Sequence, residues 1–113
     1  MKINIKTTNL DLLPGIKEYT LQKINSLDSV LKRYGPCLAN VELARISQHH
    51  QAGNVFKAEI QLGVPNKVLY AVSQESDLKI AINKAKEELR RQIIKDKSMK
   101  ESRLRLAAKS KRR

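Results

Sequence analysis

Cysteine is nearly missing from this chain of 113 residues: Cys37 stands alone. A single thiol excludes an intrachain disulfide and any cysteine-based metal site. Following Pro36, it is expected to be a small, half-buried residue. Tryptophan is absent, and only 4% of the residues are aromatic: Tyr19, Tyr34, Tyr70 and Phe56. The core must therefore be built from Ile, Leu, Val and Ala. Base stacking on a sheet needs aromatics on paired strands. Phe56 falls on the inward set and Tyr70 alone is insufficient, so shape and phosphate recognition of folded RNA is the better expectation. Long apolar runs are also missing. No stretch approaches the ~18 apolar residues of a membrane span. The opening MKINIKTTNL has no apolar signal-peptide core, so a cytoplasmic protein is expected.

Acidic residues are scarce, and that scarcity is the loudest feature. Eleven Asp and Glu face 23 Lys and Arg, a net charge of +12. Such an excess favours polyanion binding, because each phosphate contact releases condensed counterions. A merely solubilising surface is usually achieved with less charge.

Residues 2–7 alternate in polarity, predicting a strand with Ile3 and Ile5 inward. Asn9 or Asp11 is expected to start a helix with Pro14 in its first turn. An apolar stripe follows at Leu13, Ile16, Ile24, Leu27 and Leu31, with Thr20 on the same face. Gly35 and Pro36 end that helix. Three strand-like runs come next: Val41 to Ile46, a run alternating through Phe56, Ala58, Ile60 and Leu62, and Val68 to Ser73. A polar loop over Ser47 to Asn54 separates the first two, and a turn with Gly63, Pro65 and Asn66 the last two. Ser76 or Asp77 can cap the final helix. There Leu78, Ile82, Ala85, Leu89 and Ile93 form one face running to about residue 96.

The order is thus β-α-β-β-β-α, an α+β fold in which both helices cover one face of a four-stranded sheet. Lys2, Lys6, Lys57 and Glu59 are candidates for the more exposed face. Residues 97–113 lose the apolar pattern. They hold eight basic residues against Glu101. They read as a basic tail, mobile or helical on binding, attached to a domain over residues 1–97.

At 100° per residue, Lys79, Lys86, Arg90 and Lys97 share a stripe beside the core face of the last helix. Lys84, Arg91 and Lys95 cluster on its opposite side. The competing reading is a solvated helix laced by Glu87–Arg90 and Glu87–Arg91 pairs, each contributing ~0.2–0.5 kcal/mol. The helix has too few acids to pair all its bases, which favours phosphate contacts. On the first helix Lys17 and Lys23 are basic and exposed, with Lys32 and Arg33 at its end.

No catalytic constellation is present. His49 and His50 are adjacent in a polar loop without a pattern of further metal ligands. The serines lack a nucleophile-elbow context, and the four glycines are too dispersed for a phosphate loop. No enzyme, cofactor, metal or small-molecule substrate is expected.

Residues 1–97 resemble the ribosome hibernation promoting factor and ribosome-associated inhibitor family in its short form. The strings are MKINIKTTNLDLLPGIKEYTLQKINSL and AVSQESDLKIAINKAKEELRRQI, the latter with Asp77, Ala81-Ile82-Asn83 and Leu89-Arg90-Arg91-Gln92-Ile93. The resemblance implies a fold like a double-stranded-RNA-binding domain. It implies binding to the small ribosomal subunit, its rRNA and neighbouring proteins, in the channel over the tRNA and mRNA sites. Occupying that channel blocks translation and preserves idle ribosomes. The rRNA contacts it implies are Lys17, Lys23, Lys84, Lys86, Arg90, Arg91 and Lys95, and the wheel adds Lys79. Lys79, Glu88, Ser26 and Ser29 depart from the family's usual residues. The long form's dimer-forming domain has no counterpart here, so a monomer off the ribosome is expected. The alternative is a general structured-RNA-binding or ribosome-assembly protein without inhibitory activity.

Overall fold

The computed structural model describes the backbone of residues 1–46, 53 and 55–111, and the side chains of residues 1–46, 53 and 55–96. The chain runs β1 (Lys2–Thr8), α1 (Pro14–Asn25), α2 (Asp28–Leu31), β2 (Leu38–Ile46), β3 (Val55–Val64), β4 (Lys67–Glu75) and α3 (Leu78–Lys111). The sheet order is β1-β2-β3-β4, with β1 parallel to β2 and the other pairs antiparallel. Parallel pairing requires a long crossover, which α1 and α2 supply. The α+β reading with both helical layers on one sheet face holds.

Register sorts the two faces. Ile5, Val41, Ile60 and Ala71 lie in one row across all four strands. Their neighbours two residues away, among them Ala39, Leu43, Ala58 and Leu62, are buried on the same face. Onto this surface the α1–α2 segment presses Ile24, Leu27 and Leu31, while α3 presses Ala81, Ile82, Ala85, Leu89 and Ile93. Alanines stand on both sides of the α3 contact, Ala58 and Ala71 below and Ala81 and Ala85 above. Such small side chains allow a helix to approach the sheet closely. Thr20 is also fully buried, and its hydroxyl donates to the Ile16 carbonyl at 2.8 Å.

Several boundaries differ from expectation. The first helix begins at Pro14, with Leu13 rather than Asn9 or Asp11 in the capping position and no side-chain cap. The residue before proline is driven to extended geometry, and Leu13 has φ −70° and ψ 150°. It therefore leaves the apolar stripe and is 61% exposed. The single amphipathic helix predicted as far as Leu31 is two helices. Ser26 Oγ donates to the Lys23 carbonyl and Ser29 Oγ to the Ser26 carbonyl, at 2.5 and 3.2 Å. Such local bonds compete with helix continuation. The β3–β4 turn is Pro65-Asn66, with Asn66 at φ 75°. Proline followed by a positive φ is the type II signature.

At the other end, α3 does not stop near residue 96 but continues to Lys111. Residues 97–111 contain no glycine or proline and are rich in Lys, Arg, Ala and Leu. Local helix propensity therefore carries the backbone beyond the buried stripe, whose last member among the described residues is Ile93.

Leu89 is fully buried under α3. Truncation to alanine is expected to lower unfolding free energy by ~2–5 kcal/mol. Urea unfolding of L89A measures this, and a loss below ~1 kcal/mol would mean the α3 contact is not the centre of the core.

Candidate nucleic-acid interface

Three sets of polar contacts secure α3 along its packed length. Asp77, one of the two predicted caps, accepts the Lys79 and Ile80 N–H groups at 2.8 and 3.3 Å. Midway, Gln92 Nε2 donates to the Tyr70 carbonyl of edge strand β4 at 2.8 Å. At the end of the packed region, Asp96 accepts the Tyr34 hydroxyl at 2.5 Å and the Lys67 ammonium. Burial, then the bond to Asp96 and its charge, push the Tyr34 pKa up to about 12. This clamp ties α3 to the segment after α2 and to the start of β4.

With α3 held this way, its basic residues divide. Lys79, Lys86 and Arg90 lie along the seam with α1. Tyr19 of α1 is half-buried there, and its hydroxyl donates to the Lys79 carbonyl at 3.3 Å. Lys23, expected to be exposed, is half-buried here, and its ammonium and that of Lys79 each stand 5.4 Å from the Tyr19 ring centroid. Lys86, placed by the wheel on the stripe beside the core face, is drawn furthest inward. It is only 7% exposed and its ammonium is bonded to Glu87. At 40° from Ile82 on the wheel it is too near the core face to extend freely. That bond, with lesser contributions from Arg90 and Lys23, lowers the Glu87 pKa.

On the other flank Lys84 pairs with Glu75 at 2.5 Å, and Arg91 pairs with Glu88, not with Glu87 as its spacing had suggested. Lys17, Arg90 and Lys95 are exposed and make no ion pair among the described residues. Between the two basic flanks α3 exposes Ile80 and Ile94, at 48% and 47%. The wheel puts them in the unassigned sector between the stripes, a feature of sequence spacing that a search for charge passes over.

The opposite sheet face is less basic in effect. Lys57 sits 3.7 Å from Glu42 and 3.5 Å from Glu59. Glu59 also accepts the Tyr70 hydroxyl at 2.6 Å, a bond that raises the Tyr70 pKa. Asn4 and Asn40 are joined side chain to side chain at 3.1 Å. Lys2 and Lys6 are exposed there. Among the described residues no cluster of three or more His, Cys, Asp or Glu could hold a metal, and no helix is long and apolar enough to cross a membrane. His49 and His50 lie outside the described residues. Cys37 is half-buried as expected, and burial raises its thiol pKa.

Sequence spacing reached most of these basic residues but missed two organising groups. Tyr19 and Lys23 are four apart on one helix, a readable pair. Lys79 reaches the same ring only through tertiary packing. Asp96 gave no signal, since its partners are 29 and 62 residues away.

Comparison with known proteins supplies independent information. The family model described as sigma 54 modulation protein / S30EA ribosomal protein matches residues 3–101. Among solved structures, the chain is similar to the N-terminal domain of Thermus thermophilus Protein Y at 29% identity. That match covers 82% of this chain and 96% of the other, with a TM-score of 0.66. It also resembles a ribosomal subunit interface protein from Coxiella burnetii at 18% identity, covering 87% and 99%, again with a TM-score of 0.66. The latter likeness shows the fold alone. No curated protein matches.

The Asp96 clamp predicts an alkaline weakness. Tyr34 has a folded pKa of about 12 against an ordinary 10.0. Its stabilising effect is therefore complete below pH 10 and lost as pH rises toward 12. Melting temperature should fall more steeply across that window in the natural chain than in Tyr34→Phe. Parallel curves would show that the phenol is not coupled to folding.

Proposed function

The chain belongs to the sigma 54 modulation protein / S30EA ribosomal protein family, and from that membership we propose that it silences idle ribosomes by occupying the small subunit. The family is one of ribosome-associated, non-enzymatic hibernation factors. The finer reading is that the domain lies in the channel over the tRNA and mRNA sites, inhibits translation and preserves the subunit. It acts in the cytoplasm, under starvation and in stationary phase, and is a monomer when free.

One observation carries the choice of binding face. The outer surface of the helical layer carries Lys17 and Lys23 from α1 together with Lys79 and Arg90 from α3, and none of the four is neutralised by an ion pair among the described residues. On the outer sheet face Lys57 faces two glutamates. Unpaired cations gain most from phosphates, because no internal partner must be given up. Lys84, Arg91 and Lys95 extend the proposed rRNA-binding set along the other flank. Lys86 contributes to the field from its buried position rather than as a free ligand. Residues 98–113, net positive, are proposed as a separate basic segment that adds affinity without specificity.

Three measurements test this. In lysates of starved cells the protein should sediment with small-subunit-containing fractions, and purified protein should inhibit cell-free translation. Abundant protein left in the supernatant would overturn ribosome binding. Binding without loss of synthesis would instead favour a structured-RNA or assembly role. Arg90→Ala and Arg91→Ala should each weaken binding and flatten its salt dependence by about one unit of slope. Removal of residues 98–113 should flatten it further while leaving inhibition at low salt, and unchanged slopes would place these charges in solvent.

A further inference from the structure

We propose that Tyr19 positions Lys23 and Lys79 as a two-pronged clamp for the phosphate backbone of structured RNA, bridging the α1–α3 seam. The inference rests on the ribosomal reading above and adds a positioning residue and a defined anion site to it.

The clamp is built from both helices. Lys23 lies one turn beyond Tyr19 on α1, whereas Lys79 is in the first turn of α3. Each ammonium is 5.4 Å from the same ring centroid, so the two are at most twice that distance apart. An aromatic ring attracts a cation at this range. Tyr19 itself cannot swing away, because it packs against the core and its hydroxyl is bonded to the Lys79 carbonyl. The ring thereby reduces the rotamer freedom of two long side chains before any ligand arrives, which lowers the cost of binding.

Three further facts point to an anion. Neither Lys23 nor Lys79 makes an ion pair among the described residues. The nearby acid, Glu87, accepts its hydrogen bond from Lys86. The downward shift of the Glu87 pKa includes contributions from Lys23 and Arg90, so positive potential converges on this seam. Two like charges at one ring repel, and an anion bound beside them offsets that repulsion. A phosphodiester fits this requirement.

The test is a binding series on the full chain, against purified small ribosomal subunits and against a short RNA duplex, over a range of salt. Tyr19→Leu removes the ring and should weaken binding by about 3- to 10-fold. Tyr19→Phe keeps the ring and should bind like the natural chain. Lys23→Ala with Lys79→Ala should flatten the salt slope by about two units, one per lysine. Adding Tyr19→Leu to that double variant should then cost nothing more. A purely structural role would give the opposite result, an equal loss with or without the lysines, and would overturn the clamp. Natural-strength binding by Tyr19→Leu would overturn it as well. A natural chain that binds the duplex but not the subunit overturns the ribosomal reading alone, and the variants still judge the clamp on the duplex. If it binds neither, both fall.

Discussion

Burial of one stripe of α3 is the constraint on which the rest depends. Ile82, Ala85, Leu89 and Ile93 are all fully buried against the sheet and α1. No aromatic cluster, disulfide or metal supplements that contact among the described residues. A core of aliphatic side chains gains stability only through area and close packing. Once the stripe is seated, the rotation of α3 about its axis is fixed, and so is the direction of every charge upon it. The polar attachments at Asp77, Gln92 and Asp96 refine that setting rather than create it. They mark the beginning, middle and end of the same packed stretch.

Fixing the rotation has electrostatic consequences. Lysines with the same heptad-like spacing acquire different roles from small differences in angle. Lys79 stands clear at the seam, and Lys86, two turns on and slightly nearer the core, is folded back onto Glu87. On the far flank Lys84 and Arg91 find carboxylates, but as exposed pairs they are held weakly and can be released to a stronger anion. The excess of basic residues therefore becomes a graded surface. On α3 some described cations are free, some are exchangeable, and Lys86 is internally committed.

Much of this was legible from periodicity alone. The alternation around Ile3 and Ile5, the Phe56-to-Leu62 run and the α3 stripe each encode one buried face, and local patterns of that kind survive folding unchanged. Pro14 marked the start of α1, and Asp77 was one of two readable caps. What escaped was what depends on competition or distance. Leu13 looked like the first member of the apolar stripe, but Pro14 holds it extended. Ser26 and Ser29 had no apolar signature, yet their hydroxyls divide the helix. Lys86 could be placed on a stripe but not assigned a burial, since that depends on how closely α1 approaches. Tyr19 was recognisable as an aromatic and not as a hub, because one of its two lysines arrives from 60 residues away.

The parallel pairing of β1 with β2 has a consequence for how the molecule is assembled. Partners such as Asn4 and Asn40 are 36 residues apart, whereas the β3–β4 ladder closes through the two residues Pro65 and Asn66. Closing the longer segment costs more chain entropy and slows the contacts that depend on it. The β2–β4 meander and α3 form a local unit along the chain, while β1 and α1 must return to it from outside. The Tyr19 seam spans that division, with Lys23 on the returning side and Lys79 on the local one. The two ammonium groups therefore meet at the Tyr19 ring only once the crossover has closed, so a partly folded chain lacks that arrangement.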